Sequence, residues 1–136
     1  MSFMKYIMFF ILFCLVSSLT YGDVVREGTL QARSDGSNIT VSWITDTEAN
    51  VARFEIERRV GTSGEFGYIA TVNPKGSSLY EFVDHSTLKV MGTLYQYRIK
   101  IIFSDETAPK YVGPVTVNHS VSGVKRTWGS IKAMFR

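Results

Sequence analysis

The sequence predicts an all-β protein, a seven-stranded antiparallel β-sandwich, and three observations carry that prediction. Seven short segments spread over about 95 residues alternate apolar with polar side chains, the period of a strand with one face in a core. Turn residues separate the segments roughly every 8 to 12 positions, as in sandwiches. Before the C-terminus, no stretch of about ten or more residues carries the helical period.

Taken in order, Glu27 to Ser34 is a weak first strand, ended by Asp35-Gly36-Ser37. Asn38 to Thr45 places Ile39, Val41 and Trp43 on one face and Thr40 and Ser42 on the other. Asp46 to Asn50 is a polar loop. Val51 to Val60 turns Phe54 and Ile56 inward and Glu55, Glu57 and Arg59 outward. Arg58 falls on the inward row, and the expectation is that its long side chain reaches water at the rim. Gly61 to Gly64 is a turn, Phe66 to Val72 a fourth strand, and Asn73 to Gly76 its end. Leu79 to Asp84 is the fifth strand and His85 to Met91 a loop.

The sixth strand, Gly92 to Phe103, alternates most clearly. Tyr95, Tyr97, Ile99, Ile101 and Phe103 share one face, opposite Gln96, Arg98, Lys100 and Ile102. After a turn at Ser104 to Pro109, Lys110 to Val117 is the seventh strand. Pro114 cannot donate to a ladder, so it fits only an edge or a bulge.

Residues 27 to 118 resemble a fibronectin type III domain of the immunoglobulin-like β-sandwich superfamily. The resemblance rests on Trp43 near the end of the second strand, Phe54-Glu-Ile-Glu-Arg-Arg59 as the third, and Leu88 with Gly92-Thr93-Leu94-Tyr95 before the sixth. It departs from the family at the start, where a proline-rich opening is missing. It implies a structural core of Trp43, Phe54, Ile56, Leu88, Tyr95 and Tyr97, with the Tyr95 hydroxyl bonded back to the preceding loop. It implies little about function, because one sandwich hosts many activities.

Outside this body lie two appendages. Residues 1 to 22 combine one Lys, the apolar run Tyr6 to Val16 and small residues at Thr20 and Gly22, the pattern of a secretory signal peptide. An uncleaved membrane anchor is the alternative, although the run falls short of the roughly 20 residues a spanning helix needs. The only cysteine, Cys14, lies within this run, and Phe13 before it is too large for a lipoprotein signal. A mature body from Asp23 to Ser122 then has no disulfide and rests on its hydrophobic core. The expected product is exported: secreted, periplasmic or at the cell surface.

The chain has 15 Lys plus Arg against 12 Asp plus Glu, yet the body has 10 against 12. A mildly acidic body argues against nucleic acid as a partner. The basic excess sits in residues 123 to 136, where Lys125, Arg126, Lys132 and Arg136 face no acid. If Thr127 caps a short helix, Trp128, Ile131 and Phe135 share one face with Met134 beside them. So short a helix is marginal in water and orders only by docking. Its own sandwich, a protein partner and an anionic membrane surface are the three candidate surfaces.

No catalytic or cofactor signal accompanies the fold. His85 and His119 are the only imidazoles, and neither sits in a nucleophile–base–orienter arrangement. No cluster has metal-ligand spacing. Glu55 and Glu57 lie about 7 Å apart on one strand face, and with Arg98 and Lys100 opposite they read as cross-strand charge pairs. Asn38-Ile39-Thr40 and Asn118-His119-Ser120 match the glycosylation acceptor by chance composition. The reading is a non-enzymatic exported module for protein–protein or cell-surface attachment, with no cofactor, metal or small-molecule substrate. The tail is its recognition or tethering element. The alternatives are a carbohydrate-binding module using Tyr68, Tyr80 and Tyr111, and an envelope-associated structural protein held by its N-terminal segment.

Overall fold

The computed structural model describes residues 23–87 and 92–120. Seven strands form within them: β1 Gln31–Ser34, β2 Ile39–Ile44, β3 Val51–Val60, β4 Gly67–Val72, β5 Leu79–Asp84, β6 Thr93–Phe103 and β7 Lys110–His119. Described residues contain no helix. The strands make two antiparallel sheets, a three-stranded one ordered β1-β2-β5 and a four-stranded one ordered β4-β3-β6-β7. This is a β-sandwich-like, all-β fold. The leading segment, Leu88 and the C-terminal tail with Lys125, Arg126, Trp128, Ile131, Lys132, Phe135 and Arg136 lie outside the described residues.

The inward rows meet as alternation requires. Ile39, Val41 and Trp43 from one sheet face Phe54, Ile56, Tyr95, Tyr97, Ile99 and Ile101 from the other, and all are buried. Trp43 stacks on Tyr80, with centroids 5.2 Å apart and planes 6° apart, and meets Phe54 edge-on at 5.9 Å. Such pairs add to what area burial alone supplies. The Tyr80 hydroxyl donates to the Glu48 carboxylate, which also accepts from the Thr45 hydroxyl and the Gly76 amide. The loop after β2 and the loop before β5, at one end of the pair, are thereby tied together.

The first strand is shorter than its apolar pattern suggests. Arg26 to Thr29 is a turn, because Gly28 takes a positive φ of 76° and the Thr29 amide donates to the Arg26 carbonyl at 3.2 Å. Pro114 sits where its chemistry demands, on edge strand β7 at a bulge. Beside it, Gly113 has φ 101°, and an added Cβ meets Leu30 Cδ2 at 2.9 Å and the Tyr97 carbonyl oxygen at 3.1 Å. Only glycine fits there.

Two polar clusters cross between the sheets. Arg58 keeps part of its side chain exposed, as a rim position suggests, and an acid between the sheets also binds it. Its Nη1 donates to Asp84 Oδ2 at 2.6 Å and to the Ser86 hydroxyl at 2.9 Å. Tyr97 donates to the same Oδ2 at 2.7 Å, while the Ser86 amide and hydroxyl serve Oδ1 at 3.0 and 2.6 Å. Asp84 is 2% exposed and fully bonded. Burial pushes its carboxyl upward, but the hydrogen bonds from Ser86, Tyr97 and Arg58 outweigh that, and the group titrates below the ordinary carboxylate range. Burial and the adjoining Asp84 carboxylate raise the Tyr97 phenol well above its usual value.

His119, fully buried at the end of β7, is the second link. Its Nδ1 lies 2.7 Å from the Ser34 hydroxyl on β1 and its Nε2 lies 3.3 Å from the Thr87 hydroxyl. Replacing His119 by Ala leaves both hydroxyls short of a partner and costs about 1–3 kcal/mol, readable as a lower denaturant midpoint. An unchanged midpoint removes this link from the account.

Candidate binding surface

The outer face of the four-stranded sheet is built by register. On β3 and β6, Glu57 lies opposite Arg98, Glu55 opposite Lys100 and Arg59 opposite Gln96. The flanking strands each carry one extra residue. Between β3 and β4 the register shifts after Ile56, so Tyr68 comes opposite Glu57. Between β6 and β7 it shifts after Tyr97, so Tyr111 comes opposite Lys100 while Val112 faces Ile99. A one-residue slip moves a side chain to the other face. Both bulges therefore bring a tyrosine to the outer surface, and Tyr68 is 60% and Tyr111 47% exposed.

Arg98 is the centre of this face. Its Cζ lies 4.2 Å from the Phe66 ring centroid and 4.3 Å from that of Tyr111, a cation–π contact with each ring. Its Nε donates to Glu57 Oε1 at 2.7 Å. Arg59 stands 4.5 Å from the Phe66 ring, its Nε on Gln96 Oε1 at 2.8 Å and its Nη1 on the Gly64 carbonyl at 3.0 Å. Gln96 passes the chain on to Thr116 at 2.9 Å, and Tyr68 bonds Thr71 at 2.7 Å. Lys100 approaches the Tyr111 ring at 6.0 Å.

The charge pairing expected across β3 and β6 is formed at Glu57 with Arg98. Glu55 instead lies 3.7 Å from Arg53 on its own strand. Tyr80 does not belong with the exposed tyrosines. It is 2% exposed, because stacking on Trp43 uses its ring. Trp43, Phe54, Ile56, Tyr95 and Tyr97 lie in the core, remote from this face. Among the described residues no group of three or more His, Cys, Asp or Glu gathers around a common point.

Sequence reading missed the Arg98 stack, although part of its signal was present. The alternation of β6 places Arg98 outward, and that of β3 places Glu57 and Arg59 outward. Phe66 and Tyr111 join them only through the turn before β4 and the bulge on β7. No family model, curated protein or solved structure matches the chain.

Proposed function

We propose that the chain is an exported, non-enzymatic attachment module of the fibronectin type III kind that binds a protein partner or cell-surface component. One observation carries the proposal: two bulges turn Tyr68 and Tyr111 outward, exposed, on either side of an arginine in contact with two aromatic rings. Bulges re-aim side chains where a surface has work to do. Tyr and Arg are also the side chains that carry most binding energy at interfaces. The N-terminal apolar run supports export, and the basic aromatic tail of residues 123 to 136 supplies a second contact or tether.

Deleting residues 123 to 136 and, separately, replacing Tyr68 and Tyr111 by Ser tests the proposal by localisation and pull-down. Expected is loss of partner capture in the double serine variant, and loss of correct placement in the deletion. Retention of the same partners and location in both removes its basis.

Exposure of Tyr68 and Tyr111 also favours a second reading, a carbohydrate-binding face. Glycan-array signal that survives tail deletion and disappears with the two tyrosines decides for that reading.

A further inference from the structure

We infer that Arg98 is a receptor for a carboxylate on an acidic peptide segment of the protein partner. The inference rests on the attachment reading and names the chemistry that the outer sheet face recognises.

A guanidinium has five N–H donors in a planar fork that matches a carboxylate two bonds at a time. Arg98 spends one of them, the Nε donor on Glu57. Its Nη1 and Nη2 make no hydrogen bond to any described residue, and its side chain is 28% exposed. The rings of Phe66 and Tyr111 both lie within 4.3 Å of its Cζ, and these contacts with the Glu57 bond restrict the side chain's orientation. Immobilising a flexible arginine ordinarily weakens binding, and here the fold has already ordered it. Weak hydration of the guanidinium faces suits this stacked setting, whereas an ammonium offers no fork.

The surroundings favour an acidic ligand. Arg53, Arg59, Arg98 and Lys100 share this face with only Glu55 and Glu57, in a body where acids outnumber bases. Arg59 and Lys100 have no carboxylate within ion-pair distance among the described residues, and both flank Arg98. The two glutamates oppose a polyphosphate strand, which needs continuous positive charge. A peptide carrying separated carboxylates fits the mixture. Tyr68 and Tyr111 lie on either side, exposed enough to pack on its apolar atoms.

Nuclear magnetic resonance on the full chain tests the assignment with three probes: an acetylated pentapeptide with two glutamates, its glutamine counterpart, and inorganic phosphate. The glutamate peptide is expected to shift the Arg98 Nε–H signal and the backbone signals of Glu57, Phe66 and Tyr111. The glutamine peptide should bind about tenfold or more weaker. Arg98→Lys keeps the charge and loses the fork, so it should weaken binding about tenfold. Phe66→Leu, which removes one of the two ring contacts without touching charge, should weaken it as well. Arg33→Lys, exposed on the other sheet, should leave it unchanged.

Equal binding of the two peptides, full binding by both Arg98→Lys and Phe66→Leu, or shifts confined to another face overturn the proposal. Tighter binding of phosphate than of the glutamate peptide overturns it in favour of a phosphorylated ligand. No partner is present in these titrations, so their failure leaves the attachment reading to its own pull-down. Failed capture there leaves the titration result standing.

Discussion

Replacing Asp84 by Ala destabilises the protein by about 3–5 kcal/mol, the cost of removing one member of a buried, bonded charge pair. Arg58 then loses the carboxylate that holds it between the sheets, and the Tyr97 hydroxyl loses its acceptor. Against a total stability of about 5–15 kcal/mol for a domain of this size, that is a large share. Denaturant unfolding at neutral pH measures it, and a loss below about 1 kcal/mol rules out the central role given to this cluster.

The same group makes stability depend on acid. The Asp84 pKa is lowered on folding from its ordinary value of 3.8, so its contribution is fully present above that value. It is lost as the pH falls through 3.8 toward the lower folded value. Asp84→Asn cannot titrate, so its stability should fall less steeply in that window. Some slope remains, because hydrogen bonds to backbone amides and Thr107 also lower the exposed Asp35 and Asp105. Parallel curves for wild type and Asp84→Asn contradict the coupling.

Replacing Trp43 by Ala should cost about 3–5 kcal/mol, because the cavity opens beneath two aromatic partners that cannot close it. Trp43→Phe should cost markedly less, about 1–2 kcal/mol, for two physical reasons. A smaller ring keeps much of the contact with Tyr80 and Phe54. The indole Nε1, buried and without a hydrogen-bond partner among the described residues, also disappears. Thermal unfolding of the two variants provides the comparison. Equal losses contradict this account, because both variants remove the indole nitrogen and only alanine opens the full cavity.

Legibility differed sharply between rows and clusters. The inward rows of β2, β3 and β6 follow from alternation, and the buried residues Ile39, Val41, Trp43, Phe54, Ile56, Ile99 and Ile101 fall on them. Arg58 went beyond the expectation for its row, because an inward arginine at the rim also pairs when an aspartate lies opposite. That aspartate comes from β5, 26 residues later in the chain and on the other sheet. His119 behaved in the same way: its partners Ser34 and Thr87 are distant in sequence and converge only when β7 folds beside β1.

By itself the sequence determined an all-β chain, its seven segments and the side of each that turns inward, because the strand period is a local property of consecutive residues. Tertiary structure decided what meets across the strands. The bulges opposite Ile56 and after Tyr97 arise in the pairing of the two flanking strands with the centre of the four-stranded sheet, and each reverses which residues face outward. For that reason Tyr68, Tyr111 and Phe66 gather around Arg98 on a surface that no single strand announces.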